Sequence, residues 1–82
     1  MSARRAILAA GTNAARAQIA ARALGTYQAE AYDHPEYEEE ETSISDLICD
    51  LRHWADCNSI SWQRVLDRAT AHYQSEKKEA EA

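Results

Sequence analysis

Two runs of apolar residues at helical spacing, separated by a short polar break, constrain this chain more than any other feature. Ile44, Leu47, Ile48, Leu51, Trp54 and Ala55 recur on one helix face, and Trp62, Val65, Leu66, Ala69 and Tyr73 repeat the pattern. Between them Asn58 reads as a helix stop and Ser61 as the next N-cap, with Ile60 and Val65 as a hydrophobic staple. In "SISD", Ser43 reads as the N-cap of the first helix, with Asp46 three residues on. The prediction is an αα-hairpin over residues 44–74, and a tail, 75–82, that frays because it has no apolar anchor.

Residues 2–32 are alanine-rich and favour helix, interrupted by "GTN" at 11–13 and by Gly25, so one long helix or a pair is expected. Its large apolar side chains are sparse: Ile7, Leu8, Ile19 and Leu24. That pattern suits either a docking helix or one that frays alone. The fold class expected is all-α: a C-terminal hairpin plus the Ala-rich N-terminal segment, in one small domain of 82 residues. Hydrophobic residues make up 45% of the chain, but Phe is absent and alanine dominates. So thin a core calls for a partner or for self-association, and a homodimer is expected.

The segment between these parts, residues 33–43, holds the only proline and the run Glu38 to Glu41. Pro35 disfavours helix at His34, and like charges repel, so the segment reads as a solvated linker. Residues 1–32 carry +3, residues 33–50 carry −8, and the rest balance to a total of −5. Such a molecule is not drawn as a whole to nucleic acid or to anionic membranes. The acidic run has two readings: glutamates favourably placed beside the next helix's N-terminus, or a patch that mimics DNA before a basic protein. The start of the chain, "MSARRAILAAGTNAARA", superficially resembles a presequence, but its apolar stretch is short and broken by Asn13 and Arg16. Residence in the cytoplasm is expected.

"CDLRHWADC" raises a metal or redox question. At about 100° per residue from Cys49, His53 falls near 40° and Cys57 near 80°, whereas the apolar residues lie between about 140° and 260°. Cys49 and Cys57 are also about 12 Å apart along the axis, too far for a disulfide or for one zinc ion. Exposed free thiols are expected, with no metal and no cofactor. No Gly-rich phosphate loop, nucleophile elbow or fixed carboxylate pair is present, so no catalytic residue is assigned and the chain is expected not to be an enzyme. Arg64 and Arg68 on the second hairpin helix leave open an alternative, a small helix-turn-helix-like DNA-binding regulator, although acidic neighbours oppose it.

Within residues 45–76, Asp46, Leu47, Asp50, Leu51, His53 and Trp54 spell D-L-x-x-D-L-x-H-W, Asn58 stands in a turn, and Ala69, His72 and Tyr73 close an A-x-x-H-Y. This pattern resembles that of small uncharacterised helical proteins of bacteriophages and prophages. Where that pattern has glycine in the turn, Ser59 stands here. The resemblance implies a phage accessory protein, a class that includes anti-CRISPR inhibitors. The function expected is therefore a non-enzymatic acidic interaction protein that binds and inhibits a host macromolecule, such as a nucleic-acid-binding defence complex. Its partner-binding residues would be Glu36, Glu38, Glu39, Glu40, Glu41, Asp46 and Asp50, and its core or interface anchors Leu47, Leu51, Trp54, Trp62, Leu66 and Tyr73.

Overall fold

The computed structural model describes residues 12–81, the side chain of Glu81 excepted. It is all-α, with three helices and no strand among the described residues. Helix α1 spans Asn13–Ala31, a 3-10 turn spans Pro35–Tyr37, α2 spans Glu40–Cys57 and α3 spans Trp62–Glu81. The part of the N-terminal segment before Thr12 lies outside the described residues.

Each boundary has a local cause. Thr12 starts α1 by accepting the Ala15 N–H at 3.1 Å, an N-cap worth about 1 kcal/mol. Gly25 does not break this helix. Tyr32 leaves helical geometry with φ −120° and ψ 140°, and Pro35 then keeps His34 out of the helical region, at φ −132° and ψ 74°. Helix α2 begins three residues before the serine expected to cap it: Glu39 occupies the N-cap position, Glu40 and Glu41 the first turn. Carboxylates there oppose the positive end of the helix dipole, which stabilises the early start.

The turn between α2 and α3 is a Schellman motif. The Ile60 N–H donates to the Ala55 carbonyl at 2.9 Å and the Ser59 N–H to the Asp56 carbonyl at 3.4 Å. Asn58, as expected, ends α2, and its side chain donates to the Trp54 carbonyl at 2.8 Å. Ser59 sits at φ 55°, the left-handed region where glycine has no steric penalty. Ser61 caps α3, accepting the Arg64 N–H at 3.3 Å.

The tail does not fray as expected. Helix α3 runs on through Glu81 because Glu76, 6% exposed, is tied to the start of α1. Its carboxylate lies 3.5 Å from the Arg16 guanidinium, and its carbonyl accepts from the Asn13 amide at 3.2 Å. The first and last parts of the described chain therefore hold each other.

Packing between α1 and α2 is largely polar. Ser43, 0% exposed, lies within α2 rather than at its cap and accepts from Gln28 Nε2 at 3.0 Å. Tyr27 donates to Asp50 and Tyr32 to Asp46, each at 2.5 Å, and the two rings meet edge to face at 6.1 Å. From Tyr27–Asp50 to Tyr32–Asp46 the numbering rises on one side and falls on the other, the antiparallel sense that the short connector between α1 and α2 imposes. The buried apolar core of the described residues is a single side chain, Ala55, at 3% exposure. The chain exposes 6726 Å², against about 4,900 Å² for a compact monomer of its mass. Its radius of gyration is 14.5 Å, against about 12 Å for a compact chain of its length.

Candidate functional site

Four large apolar side chains of α2, Ile44, Ile48, Leu51 and Trp54, are exposed. Ile44, Ile48 and Leu51 are each close to half exposed. With Glu40, Glu41 and Ala55 they fall in a helix sector about 100° wide. Of these six residues Ala55 alone is buried. The stripe therefore reads, from its N-terminal end, as two carboxylates, three bare aliphatic side chains and a covered alanine. At that covered end, Leu51, Trp54, Ala55, Ile60, Trp62 and Val65 surround a shallow apolar notch of about 180 Å³.

The six expected anchors do not form a core within one chain. Leu47 and Trp62 are half-buried, while Leu51, Leu66 and Tyr73 are exposed and Trp54 is 61% exposed. Trp54 lines the notch with its indole largely open to solvent. Aromatic side chains presented in this way suit the anchoring of an interface.

The acidic residues divide into two groups. Glu36, Glu38, Glu39, Glu40 and Glu41 are all exposed; Glu36 lies 3.4 Å from His34, and the other four make no ion pair with a described residue. Asp46 and Asp50 instead accept the tyrosine hydroxyls in the α1–α2 seam. Their role in holding α1 was not visible in the sequence, nor were Tyr27 and Tyr32 picked out as their donors. Hydrogen bonding to Asp50 pushes the Tyr27 phenol well above its ordinary value, with desolvation adding to it. Asp46 likewise raises Tyr32, partly offset by a hydrogen bond with Ser43.

Cys49 and Cys57 are free and exposed, and His53 is exposed on the same helix. Among the described residues no group of three or more His, Cys, Asp or Glu side chains is arranged to hold a metal ion. No described helix is long and apolar enough to cross a membrane.

A second concavity, an open groove of about 950 Å³, lies between α3 and the start of α1. Its rim carries Arg16, Arg64, Arg68, His72, Glu76 and Lys77, and its floor Ile60, Val65, Ala69 and Tyr73. Arg64 and Arg68 were noticeable as a pair at helical spacing. Arg16 joins them only through the docking of Glu76 on α1, which the sequence pattern does not reveal.

No protein-family model matches the chain, and no curated protein or solved structure matches it either.

Proposed function

We propose that this chain is a non-enzymatic interaction protein that lays the exposed face of α2 on a protein partner. The acidic run beside that face would occupy a basic surface that otherwise holds nucleic acid. This is the mode of action of an inhibitor directed at a host nucleic-acid-binding complex, in keeping with a phage accessory, anti-CRISPR-like role in a bacterial cytoplasm. One observation carries the reading: the unpaired carboxylates and the bare Ile44, Ile48 and Leu51 share one sector of one helix. An aliphatic strip supplies affinity, and adjacent charge supplies orientation and rate.

The test uses basic host proteins eluted from a heparin column, passed over the immobilised chain. Retention should fall with added salt, and added DNA should release what is retained. Replacing Glu38 to Glu41 with glutamine, or Ile48→Glu, should each abolish retention while far-UV circular dichroism stays unchanged. Retention indifferent to both DNA and the glutamine variant would remove the acidic run from the mechanism.

A regulator that binds DNA directly is the second reading. It is favoured by the exposure of Arg64 and Arg68, neither of which makes an ion pair with a described residue. It is opposed by the total charge of −5. A low-salt gel shift that shows no complex removes it.

A further inference from the structure

The molecule carries unmatched charge of both signs at separate places. Arg64, Arg68 and Lys77 rim the groove, and none of them pairs with a described acid. Glu38 and Glu39 lie in the connector, equally unmatched, and between them and Glu36 stands Tyr37, 80% exposed. The groove floor of Val65, Ala69 and Tyr73 is apolar. An aromatic side chain flanked by carboxylates is the complement of an apolar floor flanked by guanidinium groups.

The two features cannot meet within one chain. The groove begins at Asn13 and Arg16, at the start of α1, and the acidic connector follows its other end. A helix of 19 residues separates them by about 28 Å. Two chains related by a two-fold axis and lying antiparallel would place each connector over the other's groove, making the contact twice.

We propose that the groove between α3 and the start of α1 is the docking site for the acidic connector of a second copy, with Tyr37 of each chain seated beside Arg64 and Arg68 of the other. This interface does not use the α2 stripe. It goes beyond the partner-binding reading, and because it is tested on the pure chain, failure of one is separate from failure of the other. It also makes the connector a shared ligand: a basic partner and the second copy would compete for it.

The experiment is sedimentation equilibrium of the purified full chain with charge-reversal variants. The wild type should be a dimer at low ionic strength, with Kd rising about tenfold or more at high salt, and Tyr37→Ala should raise Kd roughly tenfold. The groove variant R64E/R68E and the connector variant E36K/E38K/E39K should each be monomeric, since each sets like charges face to face. Mixed one to one they should form a heterodimer, because both contacts are then attractive again. Circular dichroism confirms that both variants are folded. A monomeric wild type, single variants that still dimerise, or a mixture that stays monomeric would overturn the proposal. Association into chains of undefined length would overturn the two-fold pairing, and a gel shift of DNA lost in R64E/R68E would reassign the groove to nucleic acid.

Discussion

Tyr27 on α1 donates its phenolic hydrogen to Asp50 Oδ2 on α2 at 2.5 Å, and one turn away along the seam Tyr32 does the same to Asp46. With the Gln28–Ser43 bond nearer the start of α2, these bonds make a polar contact between the two helices. Such a seam is specific, because each donor has one acceptor at one register. It is also sensitive to protonation in a way that an aliphatic seam is not.

Alkaline pH should therefore loosen the fold. Both phenols hold their protons more tightly in the folded chain than their ordinary value of 10.0, because a carboxylate accepts the hydrogen. Above that value the unfolded chain binds fewer protons than the folded one, so stability declines as pH rises. Below it the contribution is fully present. Urea melts across the alkaline range should show this decline, and the Y27F/Y32F variant should show a shallower one.

Ser43→Ala should cost about 1 kcal/mol by removing the acceptor of the Gln28 amide at a fully covered position. Ser43→Leu should cost more, since no space is left for the larger side chain. Chemical denaturation of both, read by helical circular dichroism, checks the order.

Glu76→Ala should release the end of α3 and the start of α1 together. Its carboxylate and the Arg16 guanidinium are both largely shielded from water, and breaking such a pair by removing one partner costs about 3 kcal/mol or more. Hydrogen exchange should rise in two stretches far apart in sequence, around residues 13–16 and 73–80. A rise in α3 alone would contradict the anchoring role.

Two substitutions should stabilise the chain. Gly25 lies inside α1 with nothing within 4 Å of an added Cβ, so Gly25→Ala should gain about 0.5–1 kcal/mol. Ser59→Gly should gain about 1 kcal/mol by relieving the left-handed backbone at φ 55°. Thermal melts of the single and double variants should show gains that add, since α1 and the turn are separate sites.

The hairpin was legible in the sequence because its signals are local. Helical spacing marked α2 and α3, Asn58 and Ser61 marked the turn between them, and the positive φ of Ser59 falls where glycine would be the ordinary residue. The misread features depend on distant partners. Ser43 looked like a cap because a serine preceding an apolar run usually is one, and partners distant in sequence, Gln28 and Tyr32, make its burial tolerable. The tail looked unanchored because its anchor is an ionic one supplied by Arg16, sixty residues earlier. Trp54 lay on the apolar stripe by spacing, but the seam with α1 is built from tyrosines and aspartates, which leaves the indole outside. Of the interaction surface, the acidic run and the stripe could be read residue by residue. Their shared sector became definite once α2 was seen to start at Glu40.

The outward-facing thiols of Cys49 and Cys57 make this chain convenient to label. They stand on the flank of α2 turned away from Ile44, Ile48 and Leu51, so a maleimide dye or nitroxide attached at either position would leave the aliphatic strip bare. A tag at one of them, with the other changed to serine, would report the spacing between copies directly by energy transfer or by dipolar spectroscopy.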